Sequence, residues 1–104
     1  MLYKNFEIFN HGINDGLYGY TYLKPSWNDE NLKDYENGLK IGLIQNSIKE
    51  NNFLNATYEN FYNQYNIHIW SKNKYKALSI IIENKKDLKE FRKLTGITSI
   101  KKQN

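Results

Sequence analysis

The chain has no cysteine, one proline, one arginine and two alanines among its 104 residues. Without cysteine it has no disulfide, no thiolate zinc site and no cysteine nucleophile. No apolar run approaches the roughly 20 residues of a membrane-spanning helix. The longest aliphatic stretch is Ile80-Ile81-Ile82, and the opening Met1-Leu2-Tyr3-Lys4-Asn5 lacks the apolar core of a secretory signal. These absences predict a cytoplasmic chain with no membrane partner. No glycine-rich loop with a Lys-Ser/Thr ending follows a predicted strand, so nucleotide hydrolysis finds no support.

What is present suits one folded domain. Hydrophobic residues make up 39% and aromatics 15% of the chain, with nine tyrosines. A domain of this size buries roughly two-thirds of the surface its unfolded chain exposes. Asn, Lys, Ile and Tyr together supply 51 of the 104 residues. All four have A/T-rich codons, which suggests an AT-rich bacterium or its phage, and such drift replaces Arg by Lys without functional intent. The net charge of +4 is uneven. Residues 1–52 hold five lysines against seven acids, a net of −2, whereas residues 53–104 hold ten basic residues against four acids, a net of +6. That asymmetry points to an anionic partner for the second half.

Periodicity predicts an α+β domain spanning 1–104. Phe6, Phe9, Ile13 and Leu17 mark a first helix, with Gly12 and Gly16 on an adjoining face and Gly19 as its C-cap. Tyr20 to Lys24 reads as a short extended piece closed by Pro25. Ser26 is placed to cap a long helix from Trp27 to Glu50, with Asp29 and Glu30 complementing its dipole and Asp34 and Glu36 on a solvated face. Gly38 and Gly42 repeat the four-residue glycine spacing, which predicts two antiparallel helices, a hairpin over 12–50. After a loop at Asn51 to Asn55, Tyr58, Phe61, Tyr62 and Tyr65 recur at helical spacing and predict a third helix. Ile67, Ile69 and Leu78 to Ile82 predict two strands joined by a polar turn at Ser71 to Lys74. Asn84 and Asp87 cap a final helix carrying Leu88, Phe91 and Leu94, stopped by Gly96, so a β-hairpin plus helix occupies 66–96 and residues 97–104 fray.

Gly12-Ile13-Asn14-Asp15-Gly16-Leu17-Tyr18-Gly19, then Pro25, Tyr35, Gly38, Leu39 and Gly42, resembles the glycine-patterned helical hairpin of ribosome modulation factor and similar short phage proteins. The resemblance covers about 31 residues. It implies a hairpin that binds ribosomal RNA and silences the ribosome.

Catalytic groups are few. His11 and Asp15 lie four apart on the first helix, but a metal site wants three or four ligands and His68 is the only other histidine. No metal or cofactor is therefore expected. His68, between Ile67 and Ile69, should face away from them, toward solvent or a partner. The strongest surface feature is Trp70, Lys72, Lys74, Tyr75 and Lys76 around the predicted turn, with Lys85, Lys86, Lys89, Arg92 and Lys93 on the last helix. From 72 to 102 there are ten basic residues against three acids. Rings beside flexible cations are what single-stranded nucleic acid uses, bases stacking and phosphates pairing. The sequence therefore predicts a non-enzymatic binder of nucleic acid, RNA rather than duplex DNA, or of a host nucleoprotein. Its most specific form is a phage or mobile-element accessory protein that inhibits a nucleic-acid-handling complex such as a CRISPR effector. The alternatives are an RNA- or ribosome-binding regulator, and a small nuclease toxin using His68.

Overall fold

Asn5 starts the first helix by accepting the Ile8 N–H on its side-chain oxygen at 3.2 Å. In this computed structural model, which describes residues 1–19, 26–73 and 76–103, α1 spans Phe6–Tyr18 and ends at Gly19 in the left-handed region. The long helix α2 spans Asp29–Lys49. Its cap is Asn28, which accepts the Asn31 N–H at 2.8 Å, and not the expected Ser26. Both residues carry a capping oxygen, but only Asn28 directly precedes the acidic first turn. Asn51 takes φ 58° beyond α2, and the Asn51 and Asn52 amides return to the carbonyls of Ile48 and Ser47. The extended piece expected at Tyr20 to Lys24, with Pro25, lies outside the described residues.

The glycines meet as the four-residue spacing predicts, but the helices run parallel. Gly38 lies against the Phe9 carbonyl and Gly42 against that of Ile13, while Gly12 faces Tyr35 and Leu39 and Gly16 faces Leu39 and Leu43. Residue numbers climb together on both sides, so the expected antiparallel hairpin is corrected to a parallel pair. Glycine spacing encodes how closely two backbones approach, not their polarity. Ten residues separate the helices, and at about 3.3 Å each they can span back along an α1 roughly 20 Å long. The paired N-termini are fastened by Asp34, which is only 3% exposed and accepts the Lys4 and Asn5 amides at 3.0 and 2.8 Å. Asp34 is thus no member of a solvated face.

The expected third helix is a β-hairpin. β1 spans Phe53–Phe61 and β2 spans Gln64–Ser71, antiparallel, with Phe61 opposite Gln64. The two-residue turn Tyr62-Asn63 has φ 51° and 65°, the paired positive values of a type I′ hairpin turn. The apparent helical stripe of Tyr58, Phe61, Tyr62 and Tyr65 is an accident of that turn. β3, Lys76–Ile82, pairs antiparallel with β2, as predicted. α3, Lys85–Thr95, is capped by Asn84 accepting the Asp87 N–H at 2.9 Å and stopped by left-handed Gly96, again as predicted. The tail does not fray through its whole length: β4, Ile100–Lys102, pairs parallel with β1. Ile97 and Ile100 anchor it, the first buried and the second packed on the core.

The result is an α+β domain with a four-stranded mixed sheet in the order β3-β2-β1-β4. Its inner face carries Ala56, Ile67, Ile69, Ile80 and Ile82, which join Phe9, Ile13, Ile41, Ile44 and Phe91 of the helices in one core. Strand alternation turns Thr57, Glu59, His68, Trp70, Ser79 and Ile81 to the other face. None of these six belongs to the core cluster, and Ile81 is 55% exposed. No described helix is long and apolar enough to cross a membrane.

Candidate functional site

The sheet separates residues that the sequence reading had grouped together. Trp70 lies on the outer face, its Nε1 donating to Thr57 Oγ1 at 2.9 Å and its ring centroid 6.5 Å from that of His68. Lys72 sits in the turn after β2 and donates to Asn51 Oδ1 at 2.8 Å. Lys74 and Tyr75 lie outside the described residues, and Lys76 opens β3. Lys85, Lys86, Lys89, Arg92 and Lys93 all belong to α3, whose Phe91 enters the core from the helix side of the sheet. Trp70 and the α3 cations therefore occupy opposite sides of the molecule.

On α3 itself the cations are gathered. At about 100° per residue, Arg92, Lys85, Lys89, Lys93 and Lys86 fall within an arc of about 120°. Asp87, Phe91 and Thr95 point the other way and are buried. None of the five cations forms an ion pair among the described residues. The neighbouring Glu90 lies beside Tyr3, where burial and then this carboxylate push the Tyr3 hydroxyl above its ordinary value. The helix thus presents concentrated positive charge, with Glu90 the one acid that shares a surface hollow with Lys86, Lys89 and Lys93 among the described residues.

One side of that arc borders a cleft between α3 and the sheet. It encloses about 210 Å³ and is lined by Tyr58, Tyr65, Ile67, Leu88, Arg92 and Ile100. Tyr58 and Tyr65 meet edge to face, centroids 5.8 Å apart at 63°. Their hydroxyls and the Arg92 guanidinium have no hydrogen-bond or ion-pair partner among the described residues. Lys102 is the β4 register partner of Tyr58 and adds a cation at the sheet edge. Sequence reasoning named Arg92 but missed the two tyrosines as cleft walls, because their seven-residue separation imitates two helical turns. Their alternation with Thr57, Glu59 and Asn66 was the available signal.

The other polar constellations are committed internally. His68 faces away from Ile67 and Ile69 as predicted, but it is only 7% exposed and not turned to open solvent. Its Nδ1 lies 2.8 Å from Ser79 Oγ and its Nε2 3.3 Å from Glu59 Oε1, so both ring nitrogens are engaged. His11 Nε2 lies 3.4 Å from Asp15, whose carboxylate also accepts the Tyr35 hydroxyl at 2.6 Å. A larger hollow of about 500 Å³ is lined by Met1, Lys4, Asp29, Glu30, Lys33, Asp34, Asn37 and Glu83. Its charges pair across it, Lys4 with Glu30 and Lys33 with Glu83 at 3.5 Å. Hydrogen bonding to the Met1 ammonium holds Glu83 below its ordinary carboxylate value, against the opposing pull of burial. No group of three or more His, Asp or Glu placed to hold a metal ion occurs among the described residues.

Comparison with protein-family models, curated protein sequences and solved structures returned no match.

Proposed function

We propose that the protein acts by binding, without catalysis, and that the cationic face of α3 meets nucleic acid or a nucleoprotein. The observation that carries this reading is the set of five cations on one arc of about 120°, none in an ion pair with a described acid. Unpaired surface cations lose little hydration until a polyanion arrives, and phosphate then releases its condensed counterions. His68 is only 7% exposed, and neither it, Ser79 nor Glu59 lines any cleft described above, which supports a stabilising role for that residue over a general base. A composition rich in residues with A/T-rich codons and the one-sided charge favour a phage or mobile-element accessory protein. In that setting it inhibits a host complex, such as a CRISPR effector, by occupying its nucleic-acid groove or guide RNA.

The test is a salt series. Five phosphate contacts predict a slope of about −3.5 in log K against log salt for a single strand. Affinity should then fall about 100-fold between roughly 50 and 200 mM salt. Lys89→Glu with Lys93→Glu should weaken binding to every sequence alike and flatten the slope by about 0.7 per contact removed. Anisotropy of labelled single-stranded RNA, single-stranded DNA and duplex DNA reads all of this. No binding to any of the three at about 50 mM salt, with no nucleoprotein retained in a pull-down, overturns the proposal.

A further inference from the structure

We infer that the cleft beneath α3 is a seat for one unstacked base of a single-stranded nucleic acid whose phosphates lie along the α3 cations. This rests on the nucleic-acid reading above and makes it more specific. The cleft's volume of about 210 Å³ is too small for a nucleotide chain and suits one flat ring system. Its walls are two tyrosine rings crossed at 63° over a floor containing Ile67, which is fully buried. Aromatic and apolar walls accept the faces of any base, and stacking on them is sequence-tolerant.

Polar groups at the same place fit the edges of a base. Tyr58, Tyr65 and Arg92 line the space, and their two hydroxyls and guanidinium lack partners among the described residues. They offer donors to ring nitrogens and carbonyl oxygens. Charge supplies the orientation. Arg92 lines the cleft from α3, and Lys102 is the β4 register partner of its wall residue Tyr58, so a strand entering the cleft meets the α3 cations at Arg92. Duplex DNA cannot use this arrangement without extruding a base, which costs a few kcal/mol. The Trp70 face is a poor competitor for a base, since the Trp70 Nε1 donates to Thr57 and the adjacent His68 ring is nearly buried.

The experiment compares a labelled single strand of about twelve nucleotides, the same strand with abasic sites replacing its central bases, and the matching duplex, at one low salt concentration. The unmodified protein should bind the intact strand about tenfold more tightly than the abasic strand, the worth of one base on an aromatic platform. Tyr65→Leu should erase that preference while leaving the salt slope and the duplex affinity unchanged. Leu88→Phe, which fills the cleft from α3, should do the same, so the conclusion does not hang on one variant's folding. Equal affinity for intact and abasic strands overturns the base seat but leaves α3 as a phosphate-binding face. Failure to bind any of the three ligands overturns the wider reading as well. Displacement of the strand by an acidic, aromatic-bearing peptide, in a manner abolished by Tyr65→Leu, with no intact-over-abasic preference, assigns the cleft to a protein partner and refutes the inference.

Discussion

Replacing Gly42 by alanine sets two effects of opposite sign against each other. In a helix interior alanine is better than glycine by about 1 kcal/mol, so an uncrowded Gly42 would make the substitution stabilising. Here an added Cβ would meet the Ile13 carbonyl oxygen and the Leu17 amide nitrogen, both closer than 3.0 Å. Overpacking a core costs about 1 to 3 kcal/mol when side chains can shift. At Gly42 the obstacle is backbone, so α1 must move as a body and its buried Phe9 and Ile13 lose contact with the core. We take the upper end, about 3 kcal/mol, and subtract the propensity gain, leaving about 2 kcal/mol of net destabilisation. For a domain near 100 residues that lowers Tm by about 10 °C. Gly38→Ala should behave alike, because its Cβ would meet the Phe9 carbonyl oxygen. The double variant should cost less than the sum, since separating the helices once relieves both clashes. Thermal unfolding followed by circular dichroism measures all three variants. A raised Tm for either single variant, or simple additivity in the double, refutes the close parallel packing of α1 and α2.

Other substitutions probe separate joints of the fold. Asp34→Asn removes the charge from a buried carboxylate that accepts two backbone amides and should cost about 1 to 3 kcal/mol in denaturant unfolding, whereas Glu36→Gln should change almost nothing. Tyr62→Asn with Asn63→Gly installs the preferred type I′ sequence where Tyr62 now holds φ 51°, and should raise stability by about 1 kcal/mol without altering the circular dichroism spectrum. Deleting residues 100–104 removes β4 and bares the β1 edge, so Tm should fall and aggregation on heating should increase; a tail without structure would leave both unchanged.

Features written within a few consecutive residues were legible before any coordinates. Asn84 with Asp87, and Gly96 after Arg92 and Lys93, mark α3 because a cap needs only one side chain and its own turn. The arc of cations follows from the same local period. The features that escaped depend on residues far apart in the chain. Nothing in Gly12, Gly16, Gly38 and Gly42 distinguishes parallel from antiparallel packing, because a missing Cβ has no direction along the axis. Tyr62-Asn63 lacks the glycine that announces a type I′ turn, and a tyrosine accepting positive φ is a choice made by the strands on either side. β4 is three residues long and gains its partner only because α3 carries the chain across the sheet to the free edge of β1. The cleft unites β1, β2, α3 and β4, so no window along the sequence contains it.

The grouping of Trp70 with the α3 cations failed for a different reason, since the information was present. A strand in which Ile67 and Ile69 face the core must turn Trp70 away from it, and any helix covering that core then lies on the other side. Counting charge and rings along the sequence ignored this parity. Once it is applied, the two sides do different work. On the outer side, Thr57 accepts from Trp70, while Ser79 and Glu59 engage the two nitrogens of His68, so one ladder of side chains satisfies itself across three strands. Leaving the nearly buried His68 without partners would cost about 1 to 3 kcal/mol, so this pairing stabilises the outer face. On the helix side, five cations and two tyrosine hydroxyls remain without described partners. Unspent hydrogen-bonding capacity and uncompensated charge are what a binding partner can use, and here they coincide at α3 and its cleft.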